Sequence, residues 1–240
     1  EITERDWSSD VCSSDLRDPV LEVLGIEHGF GVRGLAAPAG TLFPVQVHGR
    51  RVLDAASAAP ATEGGADREA DAILASGPGR RVGIVTADCV PILAAARDGG
   101  AVVAIHAGWR GLAAGVIEAG IEALRTRSPN GGEVAAVGPA ARGCCYEVDA
   151  PVAEALAARY ASLLPGVLVP GRPGHHRLDL SGLAARVLAG LGLSADRIGR
   201  TCMHCTICAP ERFESHRRDG AAAGRLRHFV GTSGSTVVQG

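Results

Sequence analysis

The sequence predicts an α/β (α+β) sandwich, a single domain with a mixed β-sheet core and flanking helices. Three observations lead there. The 240 residues are 46% apolar and only 3% aromatic, enough for one sizeable core without requiring a second domain. Short apolar runs bounded by Gly, Pro or charge crowd the first half of the chain, and helical periodicity begins only beyond Gly111. Strands and helices do not alternate as parallel βαβ units require, which argues against a doubly wound sheet.

In chain order, Leu42–Val47, Arg51–Ala55, Asp71–Ala75, Val82–Thr86, Pro91–Ala96 and Ala101–His106 read as strands. Leu112–Arg127 places Leu112, Val116, Ile117, Ile121 and Leu124 on one stripe, the mark of an amphipathic helix. Glu133–Val137 and Arg177–Leu180 are further strands. Pro151–Leu163 is a helix with proline in its first turn, and Ser181–Leu191 is another with Ser181 as its N-cap. Pro165–His175, rich in Gly and Pro, reads as a surface loop, and the polar stretch 231–240 as a disordered tail.

The first 16 residues differ from the rest. Trp7–Leu16 nearly repeats itself without apolar periodicity, and Asp6–Leu16 resembles the conceptual translation of a sequencing adapter. Residues 1–16 are therefore set aside as non-native, leaving a catalytic domain over 17–230. This removes five acids (Glu1, Glu4, Asp6, Asp10, Asp15) and one base (Arg5), so 26 acids and 24 bases become 21 and 23. Either balance is near neutral and points to neither nucleic acid nor a membrane surface. Every basic residue is arginine, so a lone Arg is weak evidence of phosphate binding. No run approaches the roughly 18 apolar residues of a spanning helix. Cys89, Cys144, Cys145, Cys202, Cys205 and Cys208 read as thiols or metal ligands of a cytoplasmic protein rather than as a disulfide framework.

Three patches end strand-like runs with soft-metal side chains: His48 in Gln46-Val47-His48-Gly49, Cys89 in Thr86-Ala87-Asp88-Cys89, and His106 in His106-Ala107-Gly108-Trp109-Arg110-Gly111. Two imidazoles and a thiolate suit zinc, with a fourth position free for chemistry. Singly, each residue reads as an ordinary core or surface side chain. Separations of 41 and 17 residues mean that only the fold can join them. A competing metal motif is Cys202-Met203-His204-Cys205-Thr206-Ile207-Cys208, which lacks a fourth nearby cysteine because Cys144 and Cys145 lie far upstream. The cationic segment His216–Gly220, with Gly224-Arg225, reads as a solvated loop, and Gly138-Pro139 followed by Cys144–Val148 as a strand exit that lines or caps a pocket.

These motifs, together with Ala70-Asp71-Ala72, Gly138-Pro139, Cys144-Cys145-Tyr146-Glu147-Val148, Cys205-Thr206 and Ser215-His216-Arg217-Arg218-Asp219-Gly220, resemble one family from about Glu27 to Arg225. It is named variously multicopper polyphenol oxidase (laccase domain), purine nucleoside phosphorylase and peptidoglycan editing factor. The resemblance implies an α/β sandwich with His48, Cys89 and His106 as metal ligands on strand-end loops, and Arg33 as a substrate or phosphate contact. Glu214 and Ala223 depart from the family's usual aromatic and Thr, and the stretch from Arg33 to Gln46 is short.

Chemistry narrows the activities. A four-copper oxidase needs about ten imidazoles, largely in His-x-His pairs, and this chain has 8 histidines and no such pair. Mononuclear copper remains open as an alternative cofactor. Zinc cannot change oxidation state, so the expected reaction is polar bond cleavage. The resemblance implies purine nucleosides (adenosine, inosine, guanosine, methylthioadenosine) cleaved by phosphate to base and ribose 1-phosphate, with adenosine deamination at the same site. Cys89 and Asp88 are the expected catalytic residues, Asp88 as proton carrier, and Arg33 or Arg110 the phosphate contacts. A monomer or weak dimer is expected. The rival readings are a Cys89–His106 hydrolase acting on peptidoglycan precursors, a copper-dependent polyphenol oxidase, and a noncatalytic zinc-stabilised binding module.

Overall fold

The computed structural model describes residues 15–57, 66–130 and 132–234. In chain order the elements are α1 (Pro19–Glu22), β1 (His28–Gly29), β2 (Val52–Asp54), β3 (Ala72–Ser76), β4 (Arg81–Thr86), β5 (Val90–Ala96), β6 (Ala101–Ala107), α2 (Trp109–Ala114), α3 (Val116–Arg127), β7 (Glu133–Val137), β8 (Glu147–Asp149), α4 (Ala150–Tyr160), β9 (Leu168–Pro170), β10 (His175–Leu178), α5 (Leu180–Gly190), β11 (Ile198–Gly199), α6 (His216–Asp219) and β12 (Leu226–Gly231).

The core is a six-stranded mixed sheet in the order β11-β7-β5-β6-β3-β2, accompanied by a sheet β1-β12-β4 and a smaller one, β8-β10-β9. The apolar runs of the central strands follow from burial on both faces. Ala72, Leu74, Ile92, Val103, Ile105 and Val137 face one cluster with Ile117 and Ile121 of α3 and Leu183 and Leu188 of α5. Their neighbours Ile73, Ala75, Leu93, Val102, Ala104 and Ala136 face the other, with Ile84 of β4 and Val230 of β12. Helices thus cover one face and a second sheet the other, which is the mixed α/β sandwich expected from sequence. Among the described residues no helix is long and apolar enough to cross a membrane.

Several elements differ from expectation for identifiable reasons. Leu42–Val47 is not a continuous strand: it makes only isolated bridges, Leu42 to Val82 and Val45 to Glu69. Pro44 cannot donate to a ladder. The Gln46 side-chain amide replaces the missing strand partner, donating to the Val85 carbonyl and accepting from the Val85 N–H, both at 2.7 Å. The helix expected over Leu112–Arg127 is two, α2 and α3, broken at Gly115, whose φ of 88° is left-handed. Asp179, not Ser181, caps α5 by accepting from the Gly182 N–H at 2.9 Å. Ser181 is buried and donates instead to the Gly138 carbonyl. The expected strand at Arg177–Leu180 begins two residues earlier, as β10. The loop expected over Pro165–His175 contains β9, which pairs with β10.

Leu16 exchanges backbone hydrogen bonds with Phe30 at 3.0 and 2.8 Å, so the packed chain includes part of the segment set aside; residues 1–14 lie outside the described residues. Gly231 ends β12, and Thr232 and Ser233 hydrogen-bond to Arg80 and Gly99. Residues 235–240 lie outside the described residues.

Candidate metal centre

β3 and β6 run antiparallel with Ala72 opposite Ile105, and β5 and β6 with Pro91 opposite His106. The start of β3, the end of β6 and the start of β5 therefore meet at one end of the sheet. Asp71, His106 and Cys89 sit there, and all three carry the parity of the face turned toward β4 and β12. His48 arrives on the loop following the Gln46 contact. The ligand atoms of His48, Cys89 and His106 all lie within 4.8 Å of one another, with the His48 Nε2 4.0 Å from the Cys89 Sγ. A tetrahedral zinc holds such atoms about 3.3–3.6 Å apart, so only small side-chain adjustments separate this arrangement from coordination.

Sequence reasoning did not single out Asp71 for a role, yet it organises the site. Its carboxylate is fully buried. Oδ1 accepts from the His48 N–H and from the His106 Nδ1, both at 2.8 Å, while Oδ2 accepts from the Gly49 and Val47 N–H groups at 2.6 and 3.3 Å. A carboxylate holding one imidazole nitrogen leaves the other directed at a metal and fixes the tautomer that can ligate. The sequence signals were its place in the Ala70-Asp71-Ala72 motif and an acid opening an otherwise apolar strand, neither of which assigned it a role. The same bonds hold His48 at a φ of 62°, a left-handed conformation uncommon outside glycine. Gly108 is required here as well, because a Cβ would come within 2.9 Å of the Cys89 Sγ and 3.2 Å of the His48 Cδ2.

The electrostatics suit a metal ligand set. Burial pushes the Cys89 thiol up, but His106 and His48 beside its sulfur outweigh burial and bring it to about 7. Burial pushes His106 down, and the Asp71 and Cys89 bonds reverse this, holding it at about 9. A half-buried thiolate beside a buried imidazolium leaves one proton, on the imidazole, for a divalent ion to displace.

The other expected residues lie in different places. Asp88, at a φ of 90°, has both carboxylate oxygens engaged: the Thr206 Oγ1 donates at 2.6 Å, the Ser215 Oγ at 3.1 Å and the Arg217 N–H at 2.6 Å. Arg33 pairs with Glu214 at 3.2 Å and Asp219 at 3.7 Å, so the acid that departs from the family pattern partners this guanidinium. Arg110 lies over the Trp109 ring at 4.4 Å and lines an open cavity of about 560 Å³ together with Tyr146, Glu147, Asp149, Arg172, His175 and Arg217. The three metal-ligand candidates do not line this cavity, which joins them through the Gly108-Trp109-Arg110 connection. Tyr146 links the two regions: burial pushes its phenol up to about 12, with Cys89 and Asp88 adding to the effect against Arg217 and Arg110. The Arg217 guanidinium lies 4.6 Å above its ring. Of the eight histidines only His48 and His106 enter a metal-ligand group among the described residues; His28 and His228 are buried in the core.

Comparisons with known proteins agree with this picture. A purine nucleoside phosphorylase of Xylella fastidiosa is 38% identical over 209 residues, covering 87% of this chain and 75% of that protein. Purine nucleoside phosphorylase YfiH of Escherichia coli is 34% identical over 193 residues, covering 80% and 74%. Among solved structures, protein NMB0706 of Neisseria meningitidis superposes with a TM-score of 0.70 at 32% identity over 80% of this chain and 74% of that one. YlmD of Geobacillus stearothermophilus gives 0.68 at 29% identity, covering 81% and 74%. The model of the family described as multi-copper polyphenol oxidoreductase laccase matches residues 29–233, and the chain belongs to that family.

Proposed function

We propose that this chain is a zinc-dependent purine nucleoside phosphorylase, cleaving adenosine, inosine, guanosine or methylthioadenosine with phosphate to the base and ribose 1-phosphate, and that the same site deaminates adenosine. The observation that carries the reading is the His48–Cys89–His106 cluster, oriented by a buried carboxylate and flanked by an arginine-lined cavity. The names of the relatives support the substrate class. The two imidazoles and the Cys89 thiolate would hold the zinc, which would supply Lewis acidity to a bound reactant.

The chain's own residues do the rest. Arg110 and Arg217 offer the cationic donors that a phosphate dianion requires, while Arg172 at the same cavity is paired with Glu147 at 2.6 Å. The Trp109 and Tyr146 rings, each with a guanidinium over one face, line the cavity where a planar base would stack. With its pKa near 12, the Tyr146 phenol keeps its proton at neutral pH and donates a hydrogen bond to substrate. Asp88 acts as a positioning residue, because its oxygens already tie the Thr206–Arg217 segment to the turn before Cys89. Arg33, paired with two acids, orders the same segment. Zinc-loaded protein incubated with adenosine, with and without phosphate, tests the reading by chromatography: adenine and ribose 1-phosphate should appear only with phosphate, and inosine in either case. Absence of all three products rejects it.

The thiolate–imidazolium pair of Cys89 and His106 favours a second reading, a thiol hydrolase acting on peptidoglycan precursors. The two separate cleanly. Chelation abolishes a zinc-dependent activity and spares a thiol hydrolase, whereas metal protects Cys89 from alkylation only in the first case.

A further inference from the structure

The fold brings together four thiols that no part of the proposed chemistry uses. The seven-residue cysteine motif does not act as a unit. Cys202 is buried against the N-terminal segment, its Sγ donating to the Arg17 carbonyl at 3.3 Å, and His204 stacks on Phe213. Cys205 and Cys208 instead meet the upstream pair Cys144 and Cys145. The backbone builds this meeting from two turns. Gly143–Cys145 is closed by the Cys145 and Tyr146 N–H groups on the Arg142 carbonyl at 2.9 and 2.8 Å, and Ala140 is set beside Cys205 by donating to the His204 carbonyl at 3.0 Å and accepting from the Thr206 N–H at 3.1 Å.

We infer that Cys144, Cys145, Cys205 and Cys208 form a second, structural zinc site. All four sulfurs lie within 4.8 Å of one another, and Cys208 is 3.4 Å from Cys144 and 2.8 Å from Cys145. A tetrahedral zinc with about 2.3 Å bonds sets thiolates about 3.8 Å apart, inside that range, and a Cys-x-x-Cys pair is a common half of such a site. A multi-iron cluster spreads its thiolates more widely than a single ion does, so this tight grouping favours one ion. Zinc with four thiolates carries a net double negative charge, and three guanidiniums brace the backbone that holds it, two of them also paired with acids, Arg142 with Asp179 and Arg218 with Asp219. Arg142 donates to the Met203 carbonyl at 2.8 Å, Arg218 to the Thr206 and Ile207 carbonyls at 2.9 and 3.2 Å, and Arg177 to the Cys144 carbonyl. On binding, four S–H protons leave to solvent and four Zn–S bonds form, with no change of oxidation state.

The ion braces the first site. Both turns hold Asp88, the Ala141 N–H donating to its carbonyl at 2.8 Å and the Thr206 hydroxyl to its carboxylate. Asp88 directly precedes Cys89. A cross-link between residues 144–145 and 205–208 therefore fixes the loop that presents the catalytic thiolate.

Elemental analysis and cobalt titration of the full chain test this without an activity readout. A Cys205→Ser/Cys208→Ser variant should lose about one zinc per chain, and a His48→Ala/His106→Ala variant should keep an ion whose cobalt form shows intense thiolate charge transfer and tetrahedral visible bands. If the cysteine variant does not fold, alkylation of the wild type decides: Cys144 and Cys208, both exposed, should label about tenfold faster after chelation. The inference is overturned if the histidine variant holds no zinc and gives no such spectrum, if the folded cysteine variant keeps all its zinc, if iron rather than zinc co-purifies with the thiols, or if chelation leaves their labelling unchanged.

Discussion

Replacing Asp71 with Asn keeps the side chain's shape and removes its charge, and the geometry allows the amide no good orientation. If its NH2 takes the place of Oδ2, it faces the Gly49 N–H at 2.6 Å, donor against donor. If it takes the place of Oδ1, the His48 N–H loses its acceptor, and the His106 Nδ1 must accept instead of donate. The imidazole proton then sits on Nε2 and occupies the lone pair a metal needs. Losing such an outer-shell partner costs about 10–100-fold in metal affinity, or about 1.4–2.7 kcal/mol. Weakened charge-assisted bonds to a fully buried group remove roughly a further 1–2 kcal/mol from the stability of the metal-free protein. Competition against a chromophoric zinc chelator reads the first quantity and urea unfolding of the metal-free form the second. A folded Asp71→Asn variant binding zinc within about twofold of wild type would refute the tautomer argument.

Other expectations follow from the same structure. Burial, with a smaller push from His106, drives the fully buried His228 down to about 3, and its Nδ1 accepts from the Gly31 N–H while its Nε2 meets the Thr86 hydroxyl. Because the unfolded chain protonates near pH 6.5 and the folded one does not, this residue's contribution is complete above about pH 6.5 and lost at about 1.4 kcal/mol per unit as pH falls toward 3. His228→Gln should flatten that slope in urea titrations at about pH 7 and 5, and an unchanged slope would count against it. Gly108→Ala places a methyl 2.9 Å from the Cys89 sulfur, so metal content should drop, with roughly 1–3 kcal/mol lost to overpacking; full zinc occupancy would contradict the crowding. Gln46→Leu strands the Val85 N–H and carbonyl and should destabilise by about 1–3 kcal/mol, an effect a thermal melt would miss only if the amide were unimportant.

Most strands were legible in sequence because a sheet buried on both faces writes uninterrupted apolar runs such as Val90–Ala96 and Ala101–Ala107. β12 was not, because its single exposed residue, Arg227, leaves no alternation to read, and its partner β4 lies far away in the chain. Likewise a proline was enough to dissolve the expected strand before His48, while a side-chain amide, invisible to pattern reading, took over its hydrogen bonds.

By itself the sequence determined the layer type and the unsuitability of its histidines for a four-copper centre, since these depend on composition and local period, and it offered His48, Cys89 and His106 only as candidates whose spacing could not join them. Only the tertiary structure decided that Asp71 orients His106, that Arg33 is held by Glu214, and that Cys144 and Cys145 meet Cys205 and Cys208. The reason is physical: hydrogen bonds, ion pairs and coordination act over a few ångströms in space, and the residues that make them here are separated by dozens of positions that only strand register and loop packing bring together.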